Sequence, residues 1–307
     1  MEKVDVVIIG GGPAGISAAL WCKRLDLNHV LFESKQQLGG QLFQIHNRII
    51  DYPGVLADDG RQMQQLLEQQ IKTMECNVKL GCLILFIDSL QQKLIYKENR
   101  SKKELHYEYL IFATGSKPKS LNVPGEKEMI ERGEVFSATR DQHRLKGKDV
   151  AIVGGGDRAF EGAFLLAEAG ANIYLIHRST YFRAREAYQK RVYMNKNIKL
   201  LTDTTVLAIN GEQSVQSLDV IQLEEKRNIE IDAILVRIGV EPNIALLKNQ
   251  VETDETGYII VNQLGETSVP SIFAVGDVCT RPTYSSISAS VGQAMVAVKQ
   301  ISEQITS

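Results

Sequence analysis

Val6-Val7-Ile8-Ile9-Gly10-Gly11-Gly12-Pro13-Ala14-Gly15 runs from an apolar, β-branched stretch straight into a glycine turn. The pattern recurs as Asp149-Val150-Ala151-Ile152-Val153-Gly154-Gly155-Gly156-Asp157-Arg158-Ala159. A helix-like stretch follows each turn, to Trp21 and to Gly170. A second apolar strand follows that, His29-Val30-Leu31-Phe32 and Ile173-Tyr174-Leu175-Ile176. Strand, glycine turn, helix and strand make the βαβ unit of a dinucleotide-binding fold. Gly10 and Gly154 permit the tight turn. Gly12 and Gly156 let backbone approach a pyrophosphate, and Gly15 and Ala159 allow close packing of helix on strand. Pro13, Ala14, Asp157 and Arg158 open the two helices, whose N-termini face the anion. One such motif is weak; two in the same context predict an α/β chain with two dinucleotide-binding (Rossmann-like) domains.

The ribose-binding position falls 23 residues after Gly10 and 23 after Gly154, at Glu33 and His177. Glu33 accepts hydrogen bonds from a ribose 2′-OH and repels a 2′-phosphate. The second site offers His177, Arg178, Arg183 and Arg185, and the planar fork of arginine suits a phosphate dianion. The first turn therefore suits an adenosine with free ribose hydroxyls. The second suits NADPH better than NADH, the plain alternative for its arginines being a solvated surface turn.

The rest of the composition excludes other classes. A chain of 307 residues is long enough for two domains with real cores. Net charge is −2 and no block of like charge stands out, so a nucleic-acid surface is not expected. No apolar run reaches the ~18 residues of a membrane span. Val4 to Ile9 reads as a buried strand rather than the core of a leader, because charges interrupt its start and glycines follow it. The four cysteines, Cys22, Cys76, Cys82 and Cys279, form no CxxC pair and fit a reducing cytoplasm.

Further motifs lie in register with the two turns: Gly39-Gly40-Gln41, Asp51-Tyr52-Pro53-Gly54, Ala113-Thr114-Gly115, Val123-Pro124-Gly125-Glu126, Phe182-Arg183-Ala184 and Gly276-Asp277. Together they resemble the two-dinucleotide-binding flavoprotein reductases over nearly the whole chain, and most of all the low-molecular-weight thioredoxin reductases. That resemblance implies an FAD domain from residues 1–117 and 243–307, an NAD(P) domain from 118–242, and a homodimer. It implies that Gly10, Gly12, Gly15 and Glu33 hold the FAD pyrophosphate and ribose. Gln41 and Asp51 would contact the isoalloxazine edge, and Gly40, Ala113-Thr114-Gly115 and Gly276 would also bind the FAD. Asp277 would bond the ribityl chain. Gln293 and Ala294 would open the last helix, with its positive end toward the flavin. Gly154, Gly156, Asp157, Arg158, Ala159, His177, Arg178 and Arg183 would take NADP. No metal ligand set is implied.

One departure carries chemistry. Thioredoxin reductases begin their NADP domain with a CxxC, and the matching stretch here is Phe136-Ser137-Ala138-Thr139-Arg140-Asp141. Serine and arginine can form neither a disulfide nor a thiolate adduct. The chain thus resembles more the members without this dithiol, among them thioredoxin-reductase-type ferredoxin/flavodoxin–NADP reductases. In those an aromatic stacks on the flavin, at a position matched by His46. Arg158 stands where the family has a small polar residue; it either pairs with the pyrophosphate or obstructs NADPH. The expectation is an NAD(P)H-dependent flavoprotein oxidoreductase. It would pass electrons from NADPH through FAD to a ferredoxin, a flavodoxin or a small acceptor. The alternatives are reduction by another donor, or a flavin-binding sensor.

Overall fold

A computed structural model describes residues 3–306. The chain begins β1 (Lys3–Ile9), α1 (Pro13–Arg24), β2 (His29–Phe32), α2 (Gly60–Thr73), β3 (Val78–Lys79), β4 (Leu83–Asp88), β5 (Lys93–Glu98), β6 (Ser101–Phe112) and β7 (Ser116–Pro118). It continues α3 (Glu126–Glu131), α4 (Gln142–Leu145), β8 (Asp149–Val153), α5 (Asp157–Glu168), β9 (Asn172–Ile176), α6 (Glu186–Met194) and β10 (Ile198–Leu201). Then come β11 (Thr204–Asn210), β12 (Ser217–Gln222), β13 (Glu225–Glu230), β14 (Ala233–Val236), β15 (Val240–Pro242), β16 (Ile272–Ala274) and α7 (Ile287–Thr306).

The chain divides into two compact units, one holding everything up to Lys117 and from Glu241 onward, the other Pro118–Val240. In the first, β3, β2, β1, β6 and β16 lie side by side and parallel, with the β4–β5 hairpin added antiparallel to β6. β6 serves three partners because it is long: Ser101–His106 pairs with β5, His106–Phe112 with β1, and its last residues with β16. β16 joins in register Ile272↔Leu110, Phe273↔Ile111 and Ala274↔Phe112, which brings the C-terminal part of the chain into the N-terminal sheet. Both faces of this sheet are covered, so β1 reads as a continuous apolar run rather than an alternating one. Val6 and Ile8 pack on the face covered by α1 and α7, and Val7 and Ile9 on the opposite face. Ile8, Leu31, Ile111 and Phe273 are fully buried there, each contributing about 1.5–3 kcal/mol.

The second unit carries a parallel sheet ordered β10, β9, β8, β14 and an antiparallel sheet β11, β12, β13. The two Rossmann-type sheets predicted from the glycine turns are therefore both present. β7 and β15, the two connections between the units, pair with each other.

The last helix departs from expectation. It starts at Ile287, so Gln293 and Ala294 lie in its second turn instead of opening it. Ala294 is wholly buried in the core, and Gln293 has a different task, described below. No helix among the described residues is long and apolar enough to cross a membrane.

Candidate nucleotide sites

The first turn closes by backbone alone. Gly10 sits at φ +110°, and a Cβ there would overlap the Ala113 carbonyl; a Cβ on Gly15 would overlap the Gly10 carbonyl oxygen. Gly12 is the opposite case: the nearest atom to its Cβ position is Gly40 Cα at 4.0 Å, so the backbone there is open to a ligand. Gly12 caps α1 without any side-chain hydrogen bond, whereas Asp59 caps α2 by accepting the Gln62 N–H. The orphan N–H groups of α1 are thus left for an anion. Glu33 is buried at the end of β2. Its carboxylate accepts the Gly11 N–H at 2.8 Å, the Lys35 N–H at 2.8 Å and the Ser34 hydroxyl at 3.1 Å. A carboxylate offers about four lone-pair sites, so acceptor capacity remains for a ribose.

Residues far apart in sequence gather beside this turn. Asp277 accepts from Gln41 Nε2 at 2.9 Å, from the Ser116 hydroxyl at 3.4 Å and from the Ser285 hydroxyl. Gln41 Nε2 also lies 3.2 Å from Ser116 Oγ. Gln293 holds the Gly276 turn, its side-chain oxygen accepting the Gly276 N–H at 2.8 Å. The Ala113-Thr114-Gly115 turn is fixed by Asn243. Its carbonyl accepts the Thr114 hydroxyl at 2.8 Å, its Nδ2 donates to the Thr114 carbonyl at 2.9 Å, and its N–H donates to the Gly115 carbonyl at 2.9 Å. Ser116, Ser285 and Asn243 were not singled out from sequence, because nothing local marks them. His46 and Asp51 are exposed, and neither side chain bonds to this cluster.

The second turn repeats the backbone and changes the chemistry. A Cβ on Gly154 would overlap the Arg237 carbonyl, while nothing lies within 4 Å of the Cβ position of Gly156. Gly156 caps α5 with no side-chain bond. Arg158 therefore does not fold over the open glycine. The His177 ring packs against Gly155, its Nε2 lying 3.1 Å from the Tyr181 carbonyl oxygen. Burial, aided by Arg178 and Arg183, holds its pKa below the ordinary histidine value. Arg178 and Arg183 extend into solvent, and the Arg183 N–H donates to the Gly155 carbonyl at 2.8 Å. Arg185, grouped with them from sequence, is held elsewhere: its N–H and Nε donate to Asp157 at 2.7 and 2.8 Å. The Asp157 carboxylate is thereby engaged as well. Arg237, which the sequence reading passed over, is half-buried just beyond β14; its guanidinium donates to the Val236 and Phe136 carbonyls, both at 2.9 Å.

The Ser137–Asp141 stretch is closed on itself. Arg140 Nη2 donates to the buried Asp141 carboxylate at 2.8 Å and its Nε lies 3.2 Å from both carboxylate oxygens, while the Ser137 N–H donates at 2.7 Å. Burial pushes the Asp141 carboxyl up, but these bonds and the charges of Arg140 and Arg144 prevail and hold it below the ordinary range. All four cysteines are free thiols. Burial pushes each of them up, Cys279 to about 11, so none is a thiolate near neutrality.

The family model described as pyridine nucleotide-disulphide oxidoreductase matches residues 4–300. The chain belongs to this family. Members of the pyridine nucleotide-disulphide oxidoreductases with the thioredoxin reductase-like fold use FAD and NAD(P)H, and the two open glycine turns fit those dinucleotides. Among relatives, thioredoxin reductase of Dictyostelium discoideum is 35% identical, covering 97% of this chain and 96% of that protein. NADH dehydrogenase of Bacillus subtilis (strain 168) is 31% identical over 96% of this chain, and the chain spans 57% of that protein's length. The crystal structure of Lactococcus lactis thioredoxin reductase superposes with a TM-score of 0.81 at 27% identity, over 99% of each chain. Like these relatives, the chain is an α/β protein of the thioredoxin reductase-like fold.

Proposed function

We propose that the chain is an NAD(P)H-dependent FAD oxidoreductase that works without a redox disulfide, delivering electrons to a ferredoxin- or flavodoxin-type carrier or to a small acceptor. The observation that carries this reading is the Ser137–Asp141 stretch, where an Arg140–Asp141 ion pair stands in the place that the resemblance gives to a dithiol. FAD supplies hydride acceptance and onward electron release. The chain's own residues bind and orient. Gly10, Gly12 and Gly15 leave room for the pyrophosphate at the uncapped start of α1, and Glu33 presents free acceptor sites to the adenosine ribose. Asp277, with Gln41, Ser116 and Ser285 on it, fixes one polar wall beside the Gly276 turn, and Asn243 fixes Thr114. At the second turn, Arg178 and Arg183 receive the charged end of the pyridine nucleotide, favouring NADPH. No side chain of this chain is assigned a proton transfer or a nucleophilic role.

Anaerobic titration of the purified holoprotein, following the flavin's visible band, tests this. One equivalent of NADPH is expected to bleach it fully, with NADH poorer. Consumption of a second equivalent before completion would reveal a redox disulfide and overturn the reading. A yellow protein that neither nucleotide bleaches would favour a different donor.

A further inference from the structure

We infer that Arg158 and Arg237 form a two-arginine clamp for the pyrophosphate of the pyridine nucleotide. The clamp sets affinity for NAD(H) and NADP(H) alike, while Arg178 and Arg183 alone tell them apart. This rests on the reading that the second turn takes a pyridine nucleotide, and it assigns Arg237 for the first time.

The placement comes from the sheet. β8 and β14 are parallel neighbours, so the Gly154 turn and Arg237 leave the same carboxyl edge, where open α/β sheets bind ligands. The Arg237 N–H donates to the Val153 carbonyl at 2.7 Å, and the Arg237 carbonyl abuts Gly154. The residue is thus tied to the turn itself. Arg158 lies on the first turn of α5, two residues past the open Gly156.

The charges then lack a counterpart. A guanidinium has five N–H donors. Arg237 directs two nitrogens to backbone carbonyls and none to a carboxylate, and the nearby acid, Asp157, is already paired with Arg185. Among the described residues Arg158 has no carboxylate partner. Burial, and the like charge of Arg158 close by, depress the pKa of Arg237. Arg158 on the first turn of the uncapped α5 and Arg237 beside the Gly154 turn thus bring two cations to the same carboxyl edge of the sheet, where a bridging dianion would engage both together with the orphan N–H groups. Arg178 and Arg183 belong to a different place, after β9, and so act on the ribose end.

Calorimetric titration of the FAD-loaded full chain with NADP+, NAD+ and inorganic pyrophosphate tests the clamp without turnover. Arg158→Gln and Arg237→Gln are each expected to weaken NADP+ and NAD+ by the same factor, about tenfold or more. Both should weaken pyrophosphate too and leave the NADP+/NAD+ preference unchanged. Arg178→Gln should alter that preference alone. Arg158 is exposed, so its variant cannot fail merely by unfolding. Arg237→Lys, which keeps charge but loses the fork, should fall between wild type and Arg237→Gln. Affinities within about twofold of wild type, or a changed preference, in the Arg158 and Arg237 variants would overturn the clamp. Wild type that binds pyrophosphate but neither dinucleotide would sink the nucleotide reading and leave the clamp. Binding none of the three would overturn both.

Discussion

At the first turn, the residue 23 places after the leading glycine is Glu33, a buried carboxylate accepting from the Gly11 N–H. At the second it is His177, a half-buried ring lying against Gly155, its pKa held below the ordinary histidine value by burial. The helix starts differ in the same sense. α1 opens with Pro13 and Ala14 and no charge, whereas α5 opens with Asp157 and Arg158, and Arg178, Arg183 and Arg237 stand nearby. Backbone geometry is shared because both turns must let a pyrophosphate approach. On the proposed function, side-chain charge diverges because one nucleotide is to be kept and the other exchanged. A cofactor that stays gains from buried, neutral-to-acidic surroundings with many fixed hydrogen bonds. One that comes and goes gains from exposed cations, which attract an anion through solvent.

The largest expected effect tests the shared backbone. Gly15→Ala should cost ~3 kcal/mol or more and empty the protein of FAD, because the new Cβ overlaps the Gly10 carbonyl. The mirror change Ala159→Gly should cost only about 1–2 kcal/mol. Denaturant midpoints and FAD-to-protein ratios read both; equal costs would break the analogy between the turns. Next, Asp277→Ala removes the acceptor shared by Gln41, Ser116 and Ser285. FAD retention on dialysis should drop, with a loss of about 1–3 kcal/mol in binding, and NADP+ affinity should stay put. Loss of both would mean that the two sites are not independent.

A smaller effect concerns the closed Ser137–Asp141 stretch. Since the Asp141 carboxyl titrates below its unfolded value of roughly 3.9, its contribution is full above that pH and is lost as pH falls through the folded pKa. Arg140→Ala should therefore lower stability near pH 7 by about 1.5 kcal/mol, the low end for a charged hydrogen bond since Arg140 is half exposed. The difference from wild type should shrink in acid, as denaturation at stepped pH would show; an unchanged gap would refute the assignment. The smallest effect is at Arg185: removing its half-exposed pairing with Asp157 should change stability by under ~1 kcal/mol and leave NADP+ preference untouched.

Much of this was legible in the chain. Gly10, Gly15 and Gly154 announce the turns because positive φ or close approach admits little else there, Gly12 and Gly156 leave the backbone open, and the neighbouring apolar runs announce parallel strands. Gln41 and Asp277 stood out through motifs and do meet. Arg185 misled, since a charge in sequence does not say which partner it has; here it has Asp157. Gln293 misled because the helix starts earlier, at Ile287, and its amide serves the Gly276 turn instead of the helix entrance. Ser116, Ser285, Asn243 and Arg237 carried no local signal, each being an ordinary residue whose meaning is its distant neighbour.

The sequence by itself determined the two βαβ turns, their opposite polarity and the lack of a CxxC, because these are local matters of φ, side-chain volume and residue identity. Only the tertiary structure decided that β16 pairs with β6, that residues 41, 116 and 285 converge on the Asp277 carboxylate, and that Arg237 backs the second turn. Those outcomes depend on which strands lie side by side in a sheet. That adjacency follows from burying apolar faces across long stretches of chain, and no short segment encodes it.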